Sequence, residues 1–473
     1  MIGRKKEIRE LENAYAERES EFVAVYGRRR VGKTYLVRET FSGRLAFQHA
    51  GLKDKPTVIQ LDRFRQSLEE CGLGECGVLK NWYKAFDALK KVIAASELPR
   101  KIVFLDELQW MDRPNANFVS ALENFWNGWA SARKDVLLIV CGSASSWILR
   151  KIVYNKEGLH NRVTYRIPLC PFSLAECEAY ARDRGLEFTR RQLAELYMVL
   201  GGVPYYWHFL ERGKSVAQNI DEMFFAKSDK LENEFDELYA SLFQSPEPYI
   251  RLVTALATKK VGMTREQLSS SSGVAESGKM TQCLDDLDRC GFIRKYTPLG
   301  KANRGSVYQL MDSFTLFYFS FMATGKGVDR QYWSKLQSTR THSTWAGLAF
   351  ERLCLQHVRE IKRALQIGGV LTNEHAWYSP AAQIDLLIDR DDGIINLCEM
   401  KFAEGLHSIS RQESEDVRRK KLVLKDETAT RKAVYVTYVT TEGLKRNSYA
   451  NDVQSEVTLD DLFREELKGR DNF

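Results

Sequence analysis

The sequence predicts an α/β chain whose first part is a parallel sheet built around a phosphate-binding loop. Three observations carry that prediction. The segment Gly27-Arg28-Arg29-Arg30-Val31-Gly32-Lys33-Thr34 follows an apolar run, Phe22 to Tyr26, and opens a helix-prone stretch beginning at Tyr35. A second apolar run, Ile102 to Leu105, ends in two carboxylates, Asp106 and Glu107. Around them short apolar strands alternate with helical patterns, as repeated strand and helix units do.

The loop defines a nucleotide site through its residue types. Glycines let backbone N–H groups close on phosphates, Lys33 neutralises the β and γ charges, and the Thr34 hydroxyl ligates Mg²⁺. Asp106, at the end of a buried parallel strand, is placed to hold the ion's water shell, and Glu107 to polarise the attacking water. Two further strands are expected at Val136 to Cys141 and Tyr165 to Leu169. The first runs into Gly142-Ser143-Ala144-Ser145, which either puts a hydroxyl beside the γ-phosphate or caps the next helix. Arg162, in Glu157-Gly158-Leu159-His160-Asn161-Arg162, is either a surface arginine or one that reaches a neighbouring subunit's phosphate in an oligomer.

At 473 residues the chain exceeds what one core usually holds, so several domains are expected. The formal charge of +7 permits nucleic-acid contact without demanding it, since the basic residues are dispersed among nearly as many acids. Nine scattered cysteines argue for reduced thiols rather than a disulfide framework, and Cys71 and Cys76 lack the second pair a zinc site needs. No apolar window reaches the length of a membrane span, so a cytoplasmic protein without a membrane partner is expected.

The remaining boundaries follow from pattern changes. Residues 1–170 form the nucleotide-binding core. Residues 171–243 read as a lid of small helices, broken where Gly201-Gly202-Val203-Pro204 stops one helix and starts another. Residues 244–315 read as a winged helix: a helix from Tyr249 to Ala257, a capping box at Thr264 opening a second, a third from Lys279 to Arg289, and strands Gly291 to Tyr296 and Ser306 to Leu310 around a Gly- and Lys-rich turn. Asp285, Asp286 and Asp288 on the third helix would repel phosphates, which favours a packing or relay role over DNA reading. Residues 316–340 form a linker, and the aromatic stripe from Phe314 to Phe321 has the composition of a docking core.

Residues 341–473 hold a second chemical constellation. A helix from Trp345 to Ala364, strands near Gly369 to Thr372, Gln383 to Asp389, Ile394 to Phe402 and Ala433 to Tyr438, and a helix around Glu413 to Leu424 are expected, with Asp392-Gly393 turning a hairpin. Alternation puts Glu399 and Lys401 on one strand face, and the paired strand brings Asp385 beside them. Two carboxylates and a lysine suit a Mg²⁺-dependent phosphodiesterase, in which Asp385 and Glu399 hold the metal, Lys401 positions the nucleophile, and Glu351 adds a further carboxylate. Arg418, Arg419, Lys420 and Lys421 either flank a nucleic-acid backbone or form a solvated face.

Taken together, Ile2-Gly3-Arg4 with Glu7, the Gly27 to Thr34 loop, Leu105-Asp106-Glu107, Gly142-Ser143 and Gly201 to Pro204 resemble the prokaryotic ATPases of the AAA+/STAND group. The winged helix, the segment Met311-Asp312-Ser313-Phe314 and the Asp385, Glu399, Lys401 hairpin look like that group's C-terminal half, which ends in a PD-(D/E)xK, restriction-endonuclease-like domain. The resemblance implies ATP and Mg²⁺ as cofactors, a sensor role for Ser143, positions near the adenine for Arg4 and Pro204, and an arginine-finger role for Arg162. Ile384 stands where the motif's proline would. DNA rather than RNA, and a homo-oligomer, are the implied partners. Two functions of different class remain open: an ATP-gated nuclease, and an ATP-dependent switch or scaffold that binds nucleic acid or protein without cutting.

Overall fold

The computed structural model describes residues 1–143, 145–154, 158–226, 231, 233–243, 245–300, 305–323 and 329–464. Ala144, Glu157 and the turn at Lys301 to Arg304 lie outside these residues. The chain divides into two compact units, Met1–Pro171 and Phe172–Phe473.

The first unit is a five-stranded parallel sheet of β1 (Glu21–Tyr26), β2 (Leu45–Ala50), β3 (Lys101–Asp106), β4 (Val136–Gly142) and β5 (Tyr165–Pro168), in the order β2-β3-β4-β1-β5. The near-continuous apolar runs of β1, β3 and β4 are what a sheet covered on both faces requires. Alternation divides each strand between two cores. Phe22, Ala24, Val103, Leu105, Leu138 and Val140 pack on one face, while Val23, Val25, Ile102, Phe104, Leu137 and Ile139 pack on the other. Sequence analysis missed β2, because Leu-Ala-Phe-Gln-His-Ala carries a polar pair inside a short run; β2 also forms the sheet edge, where one side needs no apolar cover.

The second unit begins with helices Leu174–Asp183, Arg190–Leu200, Pro204–Trp207, Val216–Phe224 and Glu234–Leu242. The break at 201–204 is steric as well as conformational, because a Cβ on Gly202 would lie 1.8 Å from the Phe172 carbonyl oxygen. Next come helices Glu247–Ala257, Arg265–Ser272 and Gly278–Arg289 with strands β6 (Met263–Thr264), β7 (Ile293–Tyr296) and β8 (Val307–Leu310), which form an antiparallel sheet in the order β6-β8-β7. Thr264 closes the expected capping box with Gln267. On the third helix Asp286 is buried and accepts the Tyr249 hydroxyl at 2.8 Å, so this acid serves packing.

A second five-stranded sheet follows, in the order β13-β12-β11-β10-β9, from β9 (Thr372–Tyr378), β10 (Gln383–Arg390), β11 (Ile394–Lys401), β12 (Ala433–Thr440) and β13 (Ser455–Thr458). β9, β10 and β11 pair antiparallel; β11, β12 and β13 pair parallel. The first strand starts three residues later than expected from Gly369. The Ile367 to Leu371 run is instead a turn after the preceding helix, in which Val370 N–H donates to the Ile367 carbonyl. The expected single helix from Trp345 to Ala364 is two helices, Arg340–Gln356 and Val358–Ala364, broken at buried His357, whose ring accepts the Leu174 N–H. One apolar core runs from Phe172 through Phe314, Phe317 and Trp333 to Phe463, so the aromatic stripe is core, as its composition implied.

Candidate functional sites

At the C-terminal edge of the first sheet, β1, β3 and β4 deliver the nucleotide-site residues side by side. β4 lies between β1 and β3, so Ser143 is placed between the phosphate loop and the Asp106–Glu107 pair. Two glycines of the loop are needed for different reasons. Gly32 has φ +91 with open space around it, a conformation that Cβ-bearing residues rarely adopt, whereas a Cβ on Gly27 would sit 2.2 Å from the Leu169 carbonyl oxygen. Arg30 is also left-handed, at φ 71. Val31 is buried, and its carbonyl accepts the buried Arg4 guanidinium at 3.1 Å, which ties the N-terminal helix to the loop. Arg28 is buried, Arg29 is partly exposed, and Tyr35 is exposed.

Lys33 is buried, and two of its N–H donors hold the carbonyls of Gly27 and Arg28 at 3.0 and 2.8 Å, shaping the loop around the ammonium. Thr34 Oγ1 donates to Asp106 Oδ2 at 2.5 Å. Burial raises the Asp106 carboxyl above its ordinary value, an effect the Thr34 hydroxyl opposes. A hydroxyl and a buried, charge-starved carboxylate in contact are a donor set that fits Mg²⁺.

Glu107 is left-handed at φ 50, and its N–H is accepted by Asp106 Oδ1 at 2.9 Å. Its carboxylate accepts the Ser143 hydroxyl at 2.8 Å and the Gln109 amide, which also reaches Ser143 Oγ at 3.1 Å. The Ser143 hydroxyl is used on the Glu107 carboxylate. Gln109 was missed in the sequence; its position two residues after Glu107, in an otherwise apolar segment, was the available signal. Arg162 is exposed and sits before β5, where Thr164 N–H donates to Phe22 O at the start of β1. That is the sheet edge opposite the loop, so Arg162 does not line this chain's own phosphate site.

When bound, a nucleotide with Mg²⁺ supplies the phosphoanhydride bond to be broken and neutralises its charge. The chain's residues do the rest. Backbone N–H groups and Lys33 would bind the phosphates, Thr34 and Asp106 would hold the ion, and Glu107, held by Ser143 and Gln109, would accept the proton of the attacking water.

In the second unit the residues singled out near the C-terminus also converge. Leu386 on β10 faces Cys398 on β11, so one step further the facing pair is Asp385 and Glu399. The β9 register shifts between Ile384 and Leu387, which puts Asp385 at a bulge, the device that re-aims a strand side chain. Gln383 donates to Asp385 Oδ1 at 2.9 Å. Glu399 is buried, lies 3.8 Å from the Lys401 ammonium and accepts a hydrogen bond from Lys420 of the helix Arg411–Thr428. Lys401 also approaches Glu413 at 3.6 Å, and Glu413 accepts the Tyr438 hydroxyl and faces the His407 ring at 3.1 Å. Glu351, on the helix Arg340–Gln356, has its carboxyl raised by burial and by the charge of Asp385. Among the described residues no group of three or more His, Cys, Asp or Glu side chains is arranged to hold a metal ion. His407 and Glu413 were not read as site residues, because their partners lie on other elements; Lys420 was read as flanking a nucleic-acid backbone or lying on a solvated face, and is instead held on Glu399. Pro204 opens its short helix in this unit.

Comparison with known proteins agrees with the first site. Residues 1–210 match the family described as an ATPase domain predominantly from Archaea. An uncharacterized protein of Methanocaldococcus jannaschii is 22% identical over 403 residues, covering 83% of this chain and 84% of its own length. Among solved structures, the Walker-type ATPase of Pyrococcus abyssi shares 16% identity at a TM-score of 0.47, covering 67% of this chain and 95% of its own. The ORC2 protein of Aeropyrum pernix, in ADPNP and ADP complexes, shares 15% at 0.46, covering 72% and 96%. The family match and the loop geometry together make this chain an ATP-hydrolysing P-loop enzyme, with ATP and Mg²⁺ as its cofactors.

Proposed function

We propose that ATP binding and hydrolysis in the N-terminal unit control a Mg²⁺-dependent, PD-(D/E)xK nuclease-like site in residues 341–473 that acts on nucleic acid, DNA rather than RNA. The observation that carries the reading is that Asp385 and Lys401 both act on the Glu351 carboxyl, with Glu399 beside Lys401 and held by Lys420. In this reading residues 171–243 are a lid, 244–315 a winged helix whose third helix packs rather than reads bases, and 316–340 a linker. Arg4 lies near the adenine, and Arg162 acts on a neighbouring subunit's phosphate in a homo-oligomer. Nine cysteines scattered along the chain suit a reducing, cytoplasmic setting. Among the described residues no helix is long and apolar enough to cross a membrane.

A second reading, a switch or scaffold that binds without cutting, draws on a specific feature. Glu399 is held by Lys420 and Lys401, and Asp385 by Gln383, so these carboxylates have partners before any ion arrives. Incubating the full chain with plasmid, single-stranded DNA and RNA, with Mg²⁺ or Mn²⁺ and with or without ATP, separates the two. Metal-dependent, ATP-sensitive cleavage supports the nuclease; binding with intact nucleic acid under every condition supports the scaffold. Arg162→Ala should lower ATPase activity only in an assembled oligomer. A rate independent of protein concentration, in a chain that stays monomeric with ATP, removes the finger.

A further inference from the structure

The acid pair Glu351 and Asp385 does not belong to the C-terminal segment alone. The three-helix, three-strand module before it supplies side chains and backbone to the same place. Arg294 of β7 donates to the Asp385 backbone carbonyl at 3.3 Å and to Gln309 Oε1 at 2.6 Å. Gln309 in turn donates to the Lys260 carbonyl at 2.7 Å. That same carbonyl accepts Arg352, the residue next to Glu351. The His375 ring of β9 meets the Thr297 carbonyl at 2.9 Å, and Tyr296 donates to the Val261 carbonyl at 2.7 Å. The turn between the helix Glu247–Ala257 and β6 is thereby pinned beside the carboxylates. It presents the Lys260 ammonium 3.8 Å from Glu351 Oε2, with about half of the side chain (48%) exposed.

We propose that Lys260 is a substrate-binding residue of this site, contacting the phosphodiester backbone of a strand lying over the Glu351 and Asp385 carboxylates; this rests on the nucleic-acid reading above. Carboxylates that hold a metal repel a phosphate on approach, so the rim needs a cation able to reach outward. Arg352 is buried, and Arg294 is used on Gln309 and the Asp385 carbonyl; both support the acids from behind. Lys260 alone of the three combines an exposed ammonium with a fixed backbone, and four flexible carbons let it turn from Glu351 to a phosphate once a divalent cation occupies the carboxylates. The module thus meets nucleic acid through a turn. Its third helix, with Asp285, Asp286 and Asp288, does not.

The test is fluorescence anisotropy of labelled single-stranded and duplex DNA with the full chain, in Ca²⁺ across a salt series, for wild type, Lys260→Gln and the neighbouring Lys259→Gln. Lys260→Gln is expected to weaken binding several-fold and to lower the salt dependence by about one counterion, while Lys259→Gln leaves both unchanged. ATPase activity and melting temperature equal to wild type in Lys260→Gln exclude misfolding. If wild type binds DNA and Lys260→Gln binds with the same affinity and salt slope, the assignment of Lys260 is overturned while the nucleic-acid reading stands. If wild type binds neither DNA at low salt, the nucleic-acid reading fails and takes this one with it.

Discussion

The Ser143 hydroxyl donates to Glu107 Oε2 at 2.8 Å, joining the end of β4 to the end of β3 through the carboxylate proposed to act on water. Gln109 donates to the same oxygen and to Ser143 Oγ, closing a three-residue set around the carboxylate. Glu107 is left-handed, a backbone conformation that persists only where its surroundings hold it, and these two partners hold its carboxylate.

Lys33→Ala is expected to abolish nucleotide binding, since the ammonium both shapes the loop through Gly27 and Arg28 and meets the phosphates. Glu107→Gln should keep binding and stop turnover, because it removes only the group that takes a proton. Fluorescent-nucleotide titration and phosphate release measure the two; turnover by Glu107→Gln at the wild-type rate would remove Glu107 from its role.

Ser143→Ala and Gln109→Ala should each lower kcat by about tenfold, a loss of roughly 1.4 kcal/mol of transition-state stabilisation, with little change in nucleotide affinity. An affinity loss with unchanged kcat would show that they serve the nucleotide rather than Glu107.

Gly27→Ala puts a Cβ 2.2 Å from a backbone oxygen that cannot swing aside, and overpacking of this kind costs about 1–3 kcal/mol. A lower melting temperature with weakened nucleotide binding is expected. A thermally neutral variant would mean that the end of β5 gives way.

Asp385→Ala should abolish both metal binding at the C-terminal site and cleavage, whereas Lys401→Ala should spare metal binding and stop cleavage, with ATPase activity nearly intact in both. Mn²⁺ calorimetry on each variant, with the ATP site blocked by Lys33→Ala, checks this division. Equal Mn²⁺ binding by wild type and Asp385→Ala would remove Asp385 as a ligand.

How much of this was legible beforehand follows the range of the interactions. The phosphate loop, the Asp106–Glu107 strand end and the Asp392–Gly393 hairpin were readable because each is specified within a few residues. Turn chemistry, apolar runs and period-two alternation act over that distance. Glu399 and Lys401 on one strand face followed from the same alternation.

What the amino-acid sequence determined by itself was therefore the kind of chemistry at each position and the local element that carries it. Which partners those groups meet was decided only by tertiary structure. Gln109 on Ser143, Lys420 on Glu399, the bulge at Asp385 and the Lys260 turn beside Glu351 all join elements separated by 20 or more residues or set by strand order. A hydrogen bond or ion pair of that span depends on how helices and strands pack, and packing comes from the summed burial of many apolar side chains rather than from any pattern local to the polar residues it brings together.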